Sequence, residues 1–142
     1  MEKYLLPIQI FSCFFMTGLI WLIQLIHYPA YKYIAEDYFS IYQNFHTKTI
    51  TYIVFPLMSF ESVSGFILIF LIPISSFFFL LNFIGIISIW LVTGLLSVPA
   101  HNKLNSGKNF KVIKKLILSN WLRTIIWSIR SLFFIIFLID KL

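Results

Sequence analysis

Four apolar runs, each about as long as a bilayer's interior is thick, leave this chain few folds to choose from. They lie at about residues 5–26, 50–71, 77–98 and 116–139. A helix needs roughly 20 such residues to cross about 30 Å of hydrocarbon. Inside hydrocarbon every backbone N–H and C=O must be satisfied by the protein, which leaves helices or closed barrels. Runs this long predict helices. The expected fold is all-α: a four-helix transmembrane bundle of up-down topology, one integral membrane domain over residues 1–142. Only 11% of the residues are charged and 60% are hydrophobic, whereas roughly a quarter of an average soluble chain is charged. The first run is too long for the core of a signal peptide and no small-x-small site follows it, so it reads as a retained span. Ile-Pro-Ile-Ser-Ser at 72–76 is short enough to make the second and third spans an antiparallel hairpin.

The formal net charge of +6 would suggest nucleic acid in a soluble chain. Here the basic residues flank apolar spans, so the expected partners are membrane lipids and a hydrophobic or amphiphilic small molecule, with no nucleic acid. Lys32 and Lys48 follow the first span, and Lys103, Lys108, Lys111, Lys114 and Lys115 follow the third; the other side has Lys3 and Lys141. Loops rich in lysine stay cytoplasmic. The chain is thus expected as a multi-pass protein of the bacterial cytoplasmic (inner) membrane, with both termini outside. The stretch 103–115 reads first as this topogenic signal and second as a contact for anionic headgroups. Tyr28, Tyr31, Tyr33, Tyr38 and Tyr42 predict an interfacial amphipathic segment at headgroup level, or in a sharper version a lid over a cavity. Cys13 has no second cysteine to pair with in the chain.

Charges within the spans carry the functional argument. Glu61 lies in the second span, and Arg123 and Arg130 in the fourth. A charge near the bilayer centre costs roughly 2.5–3.5 kcal/mol even on lenient scales, so it persists where it is paired or faces a polar interior. At about 1.5 Å per residue, Glu61 is roughly 16 Å deep and Arg130 roughly 18–21 Å deep from the lysine-rich side, with Arg123 shallower. Glu61 and Arg130 are expected to pair. Asn120, Arg123, Thr124, Trp127, Arg130 and Ser131 recur at three- and four-residue steps, which is one helix face. Glu61 with Ser64 and Gly65, then Ser88, Trp90, Thr93 and Gly94, and finally Thr17, Gly18, Trp21 and Gln24 are the inward candidates on the other spans. One acid against two arginines leaves this interior positive, either as a structural pair with a spare cation or as a site awaiting an anion.

His27, His46 and His101 all fall at the ends of spans on the lysine-rich side. Imidazoles from three helices at one level suit zinc, copper or iron; capping of carbonyls freed by Pro29 and Pro99 is the plainer reading. No HxxxH or HxxE pair is present. A di-iron carboxylate centre is disfavoured because the spans offer only Glu61, and bis-histidine haem has no supporting motif. Cofactors therefore stay unassigned, a metal or haem being compatible with His27, His46 and His101. The candidate ligand-binding residues are Gln24, His27, His46, Trp90, Asn120, Arg123, Trp127 and Arg130, with Glu61 as the candidate proton carrier. The sharpest expectation is that the three histidines converge with Arg123 at the cytoplasmic mouth of a cavity, above Glu61.

Read together, His27-Tyr-Pro29, Tyr42-Gln-Asn-Phe-His46, Pro56-Leu-Met-Ser-Phe-Glu61, Val98-Pro-Ala-His101 and the stretch from Asn120 to Arg130 resemble a family of small four-span bacterial membrane proteins of unknown function. That family is more distantly similar to anthrone-oxygenase-like membrane proteins. The resemblance spans almost the whole chain and implies the fold and the clustering of these residues; it implies no activity residue by residue. Three functions stay open: a binding or transforming site for a membrane-soluble molecule with a polar or anionic head, a metal- or haem-dependent oxidoreductase, and a non-catalytic accessory subunit. A transporter would require the unit to form a homo-oligomer to enclose a pathway.

Overall fold

The computed structural model describes residues 2–72 and 76–140. Four helices carry the chain: α1 (Glu2–Tyr33), α2 (Glu36–Leu71), α3 (Phe77–Asn105) and α4 (Phe110–Ile139). All four are long and apolar enough to cross a membrane. Each packs on its neighbours in sequence and α4 closes back on α1, so the bundle is an up-down ring with α2 and α4 on one diagonal. The link expected at 72–76 falls largely outside the described residues. Phe11, Phe60, Phe66, Phe70, Leu132 and Ile136 are among the large side chains exposed on the outside. Such a surface suits lipid, because soluble monomers rarely expose apolar patches this extensive.

Every helix runs further at the histidine end than hydropathy alone marks out. α2 begins at Glu36 rather than near residue 50, α4 at Phe110 rather than near 116, and α3 continues to Asn105. The 36 residues of α2 make a rod of about 54 Å, well beyond the hydrocarbon. The tyrosine-rich segment expected at the interface is instead divided between the end of α1 and the first turns of α2. Its Tyr28, Tyr31 and Phe39 pack with Leu104, Ile113 and Leu116 in a second apolar cluster below the main one. The main cluster gathers Cys13, Met16, Met58, Leu68, Phe79, Trp127 and Phe134. Periodicity missed the extension because these turns mix apolar and polar residues, and the apolar half is buried by neighbours rather than by lipid.

α1 and α3 share an irregularity at one level. Ile23–His27 and Thr93–Ser97 are π-helical turns. Pro29 and Pro99 follow two residues later, and a proline ring within a helix crowds the carbonyl four residues before it and offers no N–H. The wider turn absorbs the conflict: the Tyr28 N–H reaches the Ile23 carbonyl and the Val98 N–H reaches that of Thr93. Such a turn holds one residue more than an α-turn and advances the following face by about 100°. Gln24 and Tyr28 on α1, and Ser97 and Ala100 on α3, are among the buried side chains at this level.

Short connections fix the histidine end. Lys108 Nζ donates to the carbonyls of Lys32 at 3.0 Å and Ile34 at 2.6 Å, closing the end of α1 with a cation, which its dipole favours. Asn109 caps α4 by accepting from the N–H groups of Lys111 and Val112. Gly107, at φ +149°, makes the turn between α3 and α4. A side chain is strained in that conformation, at a cost on the order of 1–3 kcal/mol. Gly107→Ala is therefore expected to lower the unfolding free energy by about that amount, seen as a reduced melting temperature in detergent; an unchanged melting temperature would contradict the turn.

Candidate functional site

Among the described residues two polar systems in the interior carry charge, and they are separate. The deeper one is the ion pair. Arg130 crosses the bundle diagonal and meets Glu61 with a fork, Nη1 at 3.2 Å from Oε2 and Nη2 at 3.3 Å from Oε1. The Trp127 indole N–H adds a bond to Oε2 at 3.2 Å, and Arg130 Nε donates to Asn82 Oδ1 at 2.9 Å. Both charges are almost fully buried. Gly85 gives the arginine its room, since a Cβ there would meet Arg130 Cδ at 2.8 Å. Nearby, the Ser64 hydroxyl bonds to Gln9. Charge-assisted bidentate pairing of this kind is what lets two charges lie in a low-dielectric interior.

The second system lines a cavity of about 290 Å³ on the histidine side of Trp127. Its walls come from all four helices, chiefly through Met16, Ile20, Val54, Met58, Trp90 and Trp127. From His46 to Met58 it follows α2 for about 18 Å. Thr51 and Phe55 on α2 and Val98 and Asn102 on α3 line it while remaining exposed, so it opens sideways through a slot between these helices. Its polar end is formed by Arg123, Tyr28, His46, Thr93, Ser97 and His101.

Arg123 dominates that end. It is 6% exposed, and among the described residues it has no carboxylate partner. Its guanidinium is held by neutral acceptors: Nη2 by Asn120 Oδ1 and, at 3.4 Å, by the Tyr28 hydroxyl, and Nη1 by Thr93 Oγ1 at 3.5 Å. Asn120 is oriented in turn by donating to Gln24 Oε1 at 2.7 Å. Arg123 Nε has no partner. A buried cation held in place but left uncompensated attracts an anionic or carbonyl oxygen, because the interior screens it poorly.

The three imidazoles do come together. His27 and His46 stack with centroids 4.1 Å apart, and His46 and His101 are 5.7 Å apart. A tri-histidine metal site is nonetheless not formed: among the described residues no three His, Cys, Asp or Glu side chains are grouped to hold an ion. Gln43 Nε2 lies 2.8 Å from His101 Nδ1 and the Tyr28 hydroxyl 3.0 Å from its Nε2, so both ring nitrogens have partners within the protein. His27 Nδ1 is 3.3 Å from the Tyr42 hydroxyl, while its Nε2 is unpartnered.

Of the residues singled out by sequence, His46, Trp90, Arg123 and Trp127 line the cavity with His101. Gln24 and Asn120 stand behind Arg123 as its support. His27 lies on the far side of His46, where it lines a smaller groove of about 140 Å³. Glu61 and Arg130 do not line the cavity, while Trp127 lines it and bonds Glu61. Trp21, Gly18, Ser88 and Gly94 face outward: Trp21 bonds Ser128 on the surface, Ser88 its own helix, and a Cβ on either glycine would meet open space. Tyr28, Gln43, Ser97, Gln9 and Asn82 were missed. Gln9 and Asn82 were legible as amides within apolar runs, and Gln43 as the residue one turn before His46.

The fold and this interior define a helical membrane bundle with one satisfied ion pair and one arginine-tipped lateral cavity. Compared with known proteins, the chain matches no family model, no curated protein and no solved structure.

Removing one partner of a buried pair costs roughly 3–5 kcal/mol. Glu61→Gln is thus expected to lower stability by about that amount, and Glu61→Gln with Arg130→Met to recover part of it. A thermal-unfolding double-mutant cycle measures the coupling; strictly additive losses would argue against the pair.

Proposed function

We propose that this chain is a multi-pass protein that binds a single-chain amphiphile from the membrane, an anionic or carbonyl head at Arg123 and an apolar tail along the cavity toward Trp90 and Trp127. The observation that carries the reading is the unpartnered Nε of a buried arginine at the polar end of a cavity with otherwise apolar walls. Ligand sites commonly combine apolar walls with a few convergent polar groups. The slot between α2 and α3 admits a ligand already dissolved in lipid. Asn120, Tyr28 and Thr93 hold the guanidinium before the ligand arrives, which reduces the ordering cost of binding. The lysines at the histidine end support a bacterial cytoplasmic membrane location with that end inside and both termini outside.

Dibromostearic acid tests the site, because its bromines quench indole fluorescence on contact. In a Trp21→Phe/Trp121→Phe background the remaining indoles are Trp90 and Trp127, both on the cavity wall. Saturable quenching is expected in mild detergent, with affinity reduced at least about tenfold in Arg123→Gln, as loss of a charged hydrogen bond implies. Quenching that never saturates, or that Arg123→Gln leaves unchanged, would remove the proposal. Orientation has its own test: a reporter fused after Leu142 should be active in the periplasm, and cytoplasmic activity would reverse the topology.

A further inference from the structure

Arg123 accounts for one polar group of a ligand, but the polar end of the cavity holds more than one unanswered partner. His46, from α2, is 8% exposed and makes no hydrogen bond among the described residues, although it lines the cavity. Ser97, from α3, is 2% exposed, and its hydroxyl has no partner. With Arg123 from α4, three helices thus each bring a polar side chain to one end of one cavity. Buried polar atoms are nearly always satisfied in native proteins, so the Ser97 hydroxyl and Arg123 Nε, buried without partners, call for a cause.

These groups differ in what they ask of a ligand. Arg123 Nε can only donate, and a carboxylate answers it. Ser97 can donate to the same carboxylate or accept. His46 is stacked on His27, 5.7 Å from His101 by ring centroids and on the same cavity as Arg123, so further positive charge there is opposed. A neutral imidazole offers one donor and one acceptor nitrogen. Its acceptor is met by a hydroxyl and not by a bare carboxylate.

We propose that the preferred ligand is a long-chain hydroxy acid, its carboxylate on Arg123 and Ser97 and its hydroxyl on His46. This rests on the amphiphile reading above and adds the identity of the head. His46 is then a specificity-determining residue. It also forms the wall between the main cavity and the smaller groove at His27 and Tyr42, so the hydroxyl is read where the cavity ends.

Displacement of dibromostearic acid by stearic acid and by its alpha-hydroxy and beta-hydroxy derivatives tests this in the wild-type site. One of the hydroxy acids is expected to displace the probe at about tenfold lower concentration than stearic acid, the worth of one well-made buried hydrogen bond. That preference should vanish in His46→Phe, which still binds stearic acid, and survive in part in His46→Gln, which keeps a donor and an acceptor. Equal displacement by all three acids in the wild-type protein overturns the hydroxyl contact while leaving the amphiphile site standing. A preference that persists in His46→Phe overturns the role of His46. If the probe itself gives no saturable quenching, the amphiphile reading fails and the hydroxy-acid proposal fails with it.

Discussion

Glu61 and Arg130 meet across the diagonal of the bundle, and neither could lie in hydrocarbon without the other. That single requirement organises much of the interior. Arg130 must leave α4 at a level where α2 offers an acid, and α3 must be thin enough beside it, which Gly85 provides. Trp127 and Asn82 add hydrogen bonds to the pair, so both carboxylate oxygens of Glu61 are engaged within the protein. The constraint also decides what remains: with the bundle's acid used by Arg130, Arg123 is the cation with no countercharge. One helix face thus carries one arginine with a countercharge and one without.

The separation depends on an indole. Trp127 gives its N–H to Glu61 and its ring to the cavity, and thus stands between a cation that has its countercharge and one that has none. On the cavity side the donors are positioned by neutral amides and hydroxyls, which orient a guanidinium without neutralising it. A carboxylate in place of Asn120 would have made a second structural ion pair. The amide leaves the charge available.

Much of this was legible in the chain, for reasons that differ residue by residue. The spans follow from hydrocarbon thickness and apolar length, and the inward face of α4 follows from a helical repeat of polar residues: Asn120, Arg123, Thr124, Trp127, Arg130 and Ser131 are all buried. The level of Glu61 and Arg130 followed from counting rise along two helices that start at the same end of the bundle. Inward placement on α1 and α3 was harder to read, because their polar side chains fall on both faces: Trp21 and Ser88 bond at the surface, while Gln24 and Ser97 are buried. The split between the two polar systems was also hidden, because depth alone does not reveal a tryptophan lying between two groups.

The diagonal pair joins two helices that do not follow one another in the chain, since Glu61 belongs to α2 and Arg130 to α4. During synthesis α2 emerges and is inserted well before α4 exists. For that interval the nascent protein holds a carboxyl at mid-membrane with no guanidinium to meet it. Insertion of α4 is therefore the event that completes the bundle, and it delivers Arg123 to the histidine end in the same motion. A ribosome stalled before α3 would leave a chain with two of its four long helices and one uncompensated acid.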